Sequence, residues 1–149
     1  MAKRATTDQK LMYGAFAEEF QICWICGYDG RSFRAWGFPK LDIAHVVGGS
    51  GRRHDRRDVW RACEACHRIS HGARVMIRGE LAPMITLSHV LWVKKLFDPC
   101  YYDVPYLMSL RIKRCEPIAP KKLPKFYLDM FGKIRGSAHE VFCMQYRLG

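Results

Sequence analysis

Residues 7–20 carry apolar side chains at three- and four-residue steps, a pattern that predicts an amphipathic helix. Thr7 or Asp8 is expected to cap its first turn. The apolar positions are Leu11, Met12, Ala15, Phe16 and Phe20. We interpret this helix as a packing element with no chemistry of its own.

Short apolar segments then replace the helical pattern. Residues 22–26, ICWIC, predict a strand that turns at Gly27. Residues 32–38, SFRAWGF, and residues 41–47, LDIAHVV, predict two strands of a hairpin-like unit.

A polar loop follows these predicted strands. Residues 48–58, GGSGRRHDRRD, are rich in glycine and arginine. The next segment, VWRACEACHRISHG, predicts a brief strand running into a helix that Gly72 ends.

The second half of the chain predicts three helices. Residues 86–97 form the first, with Thr86 or Ser88 as its cap, and Asp98-Pro99 stops it. A second helix, VPYLMSLRI, begins after Asp103 and has proline in its first turn, where proline is tolerated. The third is FYLDMFGKI.

The composition is that of a globular chain. Of 149 residues, 49% are hydrophobic and 26% are charged. No apolar run reaches the roughly 18–20 residues that a membrane helix needs, and the first residues, MAKRATTDQK, lack the apolar stretch of a signal peptide. We therefore expect no membrane partner and a cytoplasmic location.

The formal net charge of +11 indicates a polyanionic partner. The basic residues are clustered, which favours nucleic acid over a general solubility charge. Glycines at positions 48, 49 and 51 let a backbone phosphate approach closely. The arginines that we expect to bind phosphates are Arg52, Arg53, Arg56, Arg57, Arg61 and Arg68.

The cysteines predict a metal site. Two Cys-x-x-Cys pairs, Cys23 with Cys26 and Cys63 with Cys66, have the spacing at which two tight turns complete a tetrahedron around zinc. Such a closed site is structural and has no open coordination position. It would also leave the chain strongly basic, near a charge of about +9. The remaining three cysteines have no partner spacing, and we expect buried free thiols at Cys100, Cys115 and Cys143.

Between and after these pairs lie residues suited to phosphodiester hydrolysis. His45 ends a predicted strand and can act as the base that deprotonates water, because its pKa lies near neutrality. Asp58, His67 and His71 can provide ligands for a catalytic divalent metal. On a helix, His67 and His71 share one face.

The order Cys-x-x-Cys, strand-borne histidine, Asp or Asn, and Cys-x-x-Cys-His resembles the HNH, or His-Me finger, nuclease superfamily of the zinc-knuckle type. The match covers about residues 22–72 and is similar to small phage and prophage HNH endonucleases, with which the segment LWVKK also agrees. The resemblance implies that His45 activates water, that Asp58 is the middle residue and that His67 binds the catalytic metal.

The resemblance also implies a fold. We expect an α+β chain in which a zinc-stapled ββα-metal unit occupies residues 21–75. A packing helix precedes it in residues 1–20, and a small helical lobe follows in residues 76–149.

The chain departs from the family pattern at two positions. Many members carry a metal-binding residue before the base, where this chain has Ala44. Asp42, on the same face of a regular strand, or His71 is the candidate replacement ligand. Asp58 stands where asparagine is usual, which favours Mg²⁺ or Mn²⁺, whereas histidine ligands favour Zn²⁺ or Ni²⁺. The identity of the catalytic metal stays open.

The expected function is metal-dependent cleavage of DNA with weak sequence preference, in a bacterial host cell if the chain is phage-encoded. RNA is an alternative substrate. Two alternatives to this function stay open: a non-catalytic, zinc-dependent nucleic-acid-binding module, and a nuclease specific for DNA junctions that acts as a homodimer. An interaction protein without nucleic acid agrees poorly with the clustered arginines.

Overall fold

A computed structural model describes residues 4–29, 41–77, 79–111 and 118–134. Within these ranges the chain is a mixed α+β protein with two small antiparallel sheets and five α-helices. No helix in the described ranges combines the length and the apolar character needed to cross a lipid bilayer.

Helix α1 spans Thr7–Glu19, close to the predicted range. Its cap is Thr6, not Thr7 or Asp8 as expected, because the Thr6 hydroxyl accepts a hydrogen bond from the Gln9 backbone N–H at 3.2 Å. The Gln9 side chain in turn accepts from the Thr6 N–H at 2.8 Å, which completes a capping box.

The buried face of α1 differs from the predicted apolar stripe. Phe16 is fully buried, whereas Leu11 is 67% exposed and Ala15 is also exposed. Tyr13 instead packs against the core. The positions of the neighbouring elements decide which face of α1 is buried, and the spacing of apolar residues along the helix does not contain those positions.

Residues 22–26 do not form the predicted strand. Ile22 makes a single antiparallel bridge with Asp29, and the chain turns between them. The Gly27 N–H donates to the Cys23 carbonyl at 3.0 Å, and Gly27 has a φ of 79°, which glycine adopts without strain. The strand prediction was wrong because a turn, and not a strand, brings the two sulfurs of this pair together.

The larger sheet pairs β1, Asp42–His45, with β2, Val59–Ala62. The strands are antiparallel and place His45 opposite Val59. The predicted partner strand at residues 32–38 lies outside the described residues. The loop between β1 and β2 passes close to the backbone of Leu110. A Cβ atom at Gly51 would collide with the Leu110 carbonyl oxygen.

Helix α2, Glu64–Ser70, follows β2 after one residue and packs against both strands. Cys63 caps it, since the Cys63 sulfur accepts from the Cys66 N–H at 3.4 Å. The predicted end at Gly72 is confirmed: this glycine has a φ of 91°, and its N–H donates to the Ile69 carbonyl at 2.9 Å.

The described part of residues 76–149 contains three helices, as expected. These are α3 at Leu87–Phe97, α4 at Val104–Ser109 and α5 at Lys125–Ile134. A small hairpin, β3 at Met76–Ile77 and β4 at Glu80–Leu81, precedes them and was not predicted. Asp103 caps α4 by accepting from the Tyr106 N–H at 3.0 Å, as its sequence position predicted.

The helices and the cysteine region share one hydrophobic core. Trp24 stacks on Phe97 with ring centroids 5.1 Å apart. Residues from every described helix contribute to this core, including Phe16, Ile69, Leu91, Leu107 and Tyr127. The packing of α1 and α3 on the cysteine turns therefore fixes the position of the candidate site.

The buried ammonium of Lys94 joins α3 to the β1–β2 loop and to the start of β2. Lys94 is completely buried, and its Nζ donates to the carbonyls of Arg56 at 2.7 Å and Val59 at 2.9 Å. It also donates to Asp98 Oδ2 at 2.9 Å. Because each of its three donors has a partner, the desolvated ammonium is compensated.

Candidate functional site

The four paired cysteines converge on one point. One ligand atom from each of Cys23, Cys26, Cys63 and Cys66 lies within 4.8 Å of the other three, and all four residues are buried. The Cys26 and Cys63 sulfurs are 3.7 Å apart. A backbone hydrogen bond joins the turn of the first pair to β2, since the Trp24 N–H donates to the Arg61 carbonyl at 3.1 Å.

This cluster fits a structural metal such as zinc. Zinc–sulfur bonds of about 2.3 Å in a tetrahedron place sulfurs about 3.8 Å apart, close to the measured separation of Cys26 and Cys63. Hydrogen bonds among the sulfurs and burial raise the pKa of the Cys66 thiol. Against the effect of burial, hydrogen bonds with the other three sulfurs hold the pKa of the Cys23 thiol well below its usual value. A bound cation would favour the thiolate form of all four cysteines.

The expectation for the remaining cysteines is partly wrong. Cys100 is a free cysteine, as expected, but it is exposed in the turn after α3 instead of buried. Cys115 and Cys143 lie outside the described residues.

His45 lies at the end of β1 with its ring half-buried. Its Nε2 is 3.3 Å from the Tyr13 hydroxyl. Burial lowers the pKa of His45 to about 4, and the nearby Arg52 and His54 lower it further, against a hydrogen bond with the Arg53 backbone. The His45 imidazole is therefore neutral at pH 7.

Asp58 organises the loop that follows His45. It is completely buried, and its two carboxylate oxygens accept hydrogen bonds from the backbone of Val47 at 2.7 Å and Arg53 at 2.8 Å. Burial raises the pKa of Asp58 to about 6, against these two hydrogen bonds. Both oxygens are directed at the backbone, so Asp58 holds the loop in place beside His45.

Two further candidate residues, Asp42 on β1 and His67 on α2, are in contact. Asp42 Oδ2 lies 3.0 Å from Nδ1 of His67. The rings of His67 and His71 have centroids 5.0 Å apart, on the same side of α2. His71 is exposed at the end of this helix, where its N–H caps the Arg68 carbonyl.

In the described part of the chain, the only group of three or more potential ligands within 4.8 Å of one another is the cysteine cluster. Asp42 and His67 form a pair, and no third histidine or carboxylate joins them at that distance in these ranges. The catalytic metal ligands therefore stay a prediction.

A pocket of about 320 Å³ lies between the end of β1, the end of α2 and the start of α3, and neither Asp42 nor His67 lines it. Both His45 and His71 line it, so the end of β1 and the end of α2 face a common space. Its other walls come from the glycine loop, from the start of α3 and from Arg111, through Gly48, Gly49, Thr86 and Leu87.

Three of the six predicted phosphate-binding arginines either pair with carboxylates of the chain or are buried. Arg56 pairs with Asp98 at 3.0 Å and with Glu19 at 2.5 Å. Arg57 pairs with Asp55 at 2.9 Å. The third, Arg61, is buried and donates to the carbonyls of two residues that precede the sheet, Phe20 and Leu41.

The other three arginines are exposed. These are Arg52, Arg53 and Arg68. One guanidinium nitrogen of Arg53 donates to the Gly51 carbonyl at 3.1 Å, which directs this side chain along the loop.

Sequence reasoning missed two residues beside His45. Tyr13 was assigned to a packing helix and His54 to an ordinary loop, yet the Tyr13 hydroxyl is 2.6 Å from His54 Nδ1 and contacts His45 as well. No local pattern signals this contact, because the residues are 32 and 41 positions apart in the chain.

Comparisons of this chain with protein-family models, with curated proteins and with solved structures found no match.

Proposed function

We propose that this protein is a metal-dependent endonuclease that hydrolyses phosphodiester bonds in DNA with weak sequence preference. The observation that carries the proposal is the position of His45, a neutral imidazole at the rim of a pocket that His71 also lines. A general base needs both this protonation state and access to a substrate.

In the proposed reaction, His45 accepts a proton from a water molecule as the water oxygen attacks phosphorus. The bond from phosphorus to the leaving sugar oxygen then breaks. Asp58 supports this step indirectly, since its hydrogen bonds to Val47 and Arg53 hold the loop that packs beside His45.

The proposed catalytic metal lies beside α2. His67 and His71 would hold a divalent cation, with Asp42 hydrogen-bonded to His67. A bound cation supplies positive charge for the phosphate and the leaving oxygen. Histidine nitrogens favour Zn²⁺ or Ni²⁺ and a carboxylate favours Mg²⁺ or Mn²⁺, so each metal belongs in the assay.

We infer that β1, β2 and α2 form the ββα-metal unit implied by the HNH resemblance, with the cysteine cluster as its zinc staple. The antiparallel pair, the loop between its strands and the helix packed against both support this assignment. His45 and His67 occupy the strand and helix positions that the resemblance assigns to base and metal ligand.

DNA is the proposed partner because of the charge. The net charge of +11 attracts polyanions. The exposed arginines Arg52, Arg53 and Arg68 are suited to phosphate oxygens, and contacts of this kind position a backbone without reading its sequence. Comparing DNA with RNA of the same length as the substrate decides between the two nucleic acids.

Plasmid nicking by the purified full chain tests the proposal. Supercoiled DNA is incubated with Mg²⁺, Mn²⁺, Ni²⁺ or Zn²⁺, and we expect relaxed product with at least one of these metals. His45→Ala should abolish nicking while the structural zinc content and DNA binding persist. Equal nicking by His45→Ala would reject His45 as the base.

The alternative is a non-catalytic, zinc-dependent nucleic-acid-binding module. It is favoured by Ala44, which has no ligand atom, and by the absence of a three-ligand group outside the cysteines in the described ranges. DNA binding without nicking under all four metals would support this alternative over the nuclease.

A further inference from the structure

The Tyr13 hydroxyl lies between two imidazoles. It is 3.3 Å from His45 Nε2 and 2.6 Å from His54 Nδ1. The tyrosine ring meets each histidine ring nearly edge-on, with interplanar angles of 80° and 89°. Helix α1 thus contributes a polar group that contacts the proposed base directly.

One hydroxyl hydrogen cannot be donated to both rings. Burial raises the pKa of Tyr13, and the nearby charge of Asp58 raises it further, so the hydroxyl keeps its hydrogen at neutral pH. The shorter contact, to His54 Nδ1, is the one expected to receive that hydrogen. The Tyr13 oxygen is then left to accept a hydrogen bond from His45 Nε2, in competition with the Arg53 backbone, with which the His45 ring also hydrogen-bonds.

We propose that Tyr13, oriented by His54, is a positioning residue that holds the His45 hydrogen on Nε2 and so leaves Nδ1 as the proton-accepting atom. The role in catalysis rests on the proposed function, whereas the choice of tautomer does not. Helix α1 is then part of the site and not only a packing element.

Nitrogen-15 NMR of the full-length, zinc-loaded protein tests the tautomer at pH 7, where His45 is neutral. We expect His45 as the Nε2–H tautomer in the wild type and a mixture of both tautomers in Tyr13→Phe. Tyr101→Phe is the matched control, because Tyr101 is exposed and lies over Arg56 away from His45. Its His45 signals should match the wild type.

Two substitutions of His54 test whether the single His45 tautomer can be lost and then restored. His54→Ala should loosen the Tyr13 hydroxyl and give mixed His45 tautomers, whereas His54→Asn restores an acceptor near the former Nδ1 and should restore the single tautomer. Zinc content and circular dichroism verify the fold of each variant. An Nδ1–H tautomer in the wild type, or unchanged His45 signals in Tyr13→Phe, would overturn the inference.

Kinetics separate this inference from the proposed function. In the nicking assay, Tyr13→Phe should lower kcat about tenfold or more with little change in KM, and adding it to His45→Ala should have no further effect. If the NMR results hold but His45→Ala cleaves normally, the nuclease mechanism fails and the positioning contact stands. If His45→Ala is inactive but Tyr13→Phe leaves tautomer and kcat unchanged, only the positioning inference fails.

Discussion

The Asp42 carboxylate lies 3.0 Å from Nδ1 of His67 and joins β1 to α2 across 25 positions of sequence. A carboxylate in this place accepts the Nδ1 hydrogen and leaves Nε2 to bind a metal. The strand pattern predicted Asp42, with His71 as the alternative, as a replacement ligand for the position of Ala44. The contact with His67 favours a different role, in which Asp42 orients His67, the proposed metal ligand.

Asp42→Asn tests this role. Within the proposed nuclease, we expect the concentration of catalytic metal needed for half-maximal nicking to rise about 10–100-fold, the usual cost of losing a partner of a metal-bound histidine. Structural zinc content should not change. Asp129→Asn, an exposed carboxylate on α5, is the control. An unchanged metal requirement would show that Asp42 does not assist a metal site.

Loss of one cluster sulfur should remove the structural metal. We expect Cys66→Ser to lose bound zinc and to unfold, because zinc binding by such sites contributes about 10–16 kcal/mol in small zinc domains. Zinc release with a chromogenic chelator and the thermal unfolding midpoint are the measurements. Cys100→Ser, at an exposed cysteine outside the cluster, should keep its zinc and its midpoint.

Lys94→Ala should be strongly destabilising. It removes three buried hydrogen bonds and leaves the carboxylate of Asp98 with Arg56 as its remaining ionic partner. We expect the free energy of unfolding in urea to fall by about 3–5 kcal/mol. The neighbouring exposed Lys95→Ala should change it by less than about 0.5 kcal/mol. Similar losses for both variants would contradict the buried-pair interpretation.

Asp58→Ala should weaken the loop beside His45. The substitution leaves the N–H groups of Val47 and Arg53 without their acceptor, at a cost of about 1–3 kcal/mol for each group that stays buried. Urea unfolding measures the loss. Hydrogen exchange at these two amides should accelerate more than at Cys23, whose N–H donates to the Tyr28 carbonyl.

His45 should make the protein less stable in acid. Its pKa is about 4 in the folded chain, whereas an unperturbed histidine, as in the unfolded chain, has a pKa of 6.5, so the unfolded chain binds more protons between these values. The stabilisation is present above pH 6.5 and is lost as the pH falls through about 4. His45→Gln lacks this dependence. The difference between the two unfolding free energies should therefore shrink as the pH is lowered, whereas parallel curves would contradict the shift.

Local patterns predicted the elements whose causes are local. Residues 86–97 formed a helix beginning after Thr86 because caps, helical period and a terminating Asp-Pro act within one or two turns. The same holds for α2 and its end at Gly72. The spacing within each Cys-x-x-Cys pair also acts locally, since a turn holds Cys23 and Cys26 and the start of α2 holds Cys63 and Cys66.

Long-range packing decided the features that the patterns missed. The short apolar segment at 22–26 became a turn, and Arg56 and Arg57 became partners of Glu19 and Asp103. An arginine cluster has the same sequence signature whether it faces phosphates or carboxylates of its own chain, since the partners come from distant elements.

The helices, the two Cys-x-x-Cys pairs and the candidate histidines could be predicted from the sequence, because each depends on spacing along a few turns of chain, whereas the meeting of the two pairs across 37 positions depends on the fold. Only the tertiary structure brought Tyr13 and His54 to His45, paired Asp42 with His67 and buried Lys94. These contacts join elements that meet only when one shared core forms, and a buried polar group is compensated by whichever partner that core places within hydrogen-bonding distance.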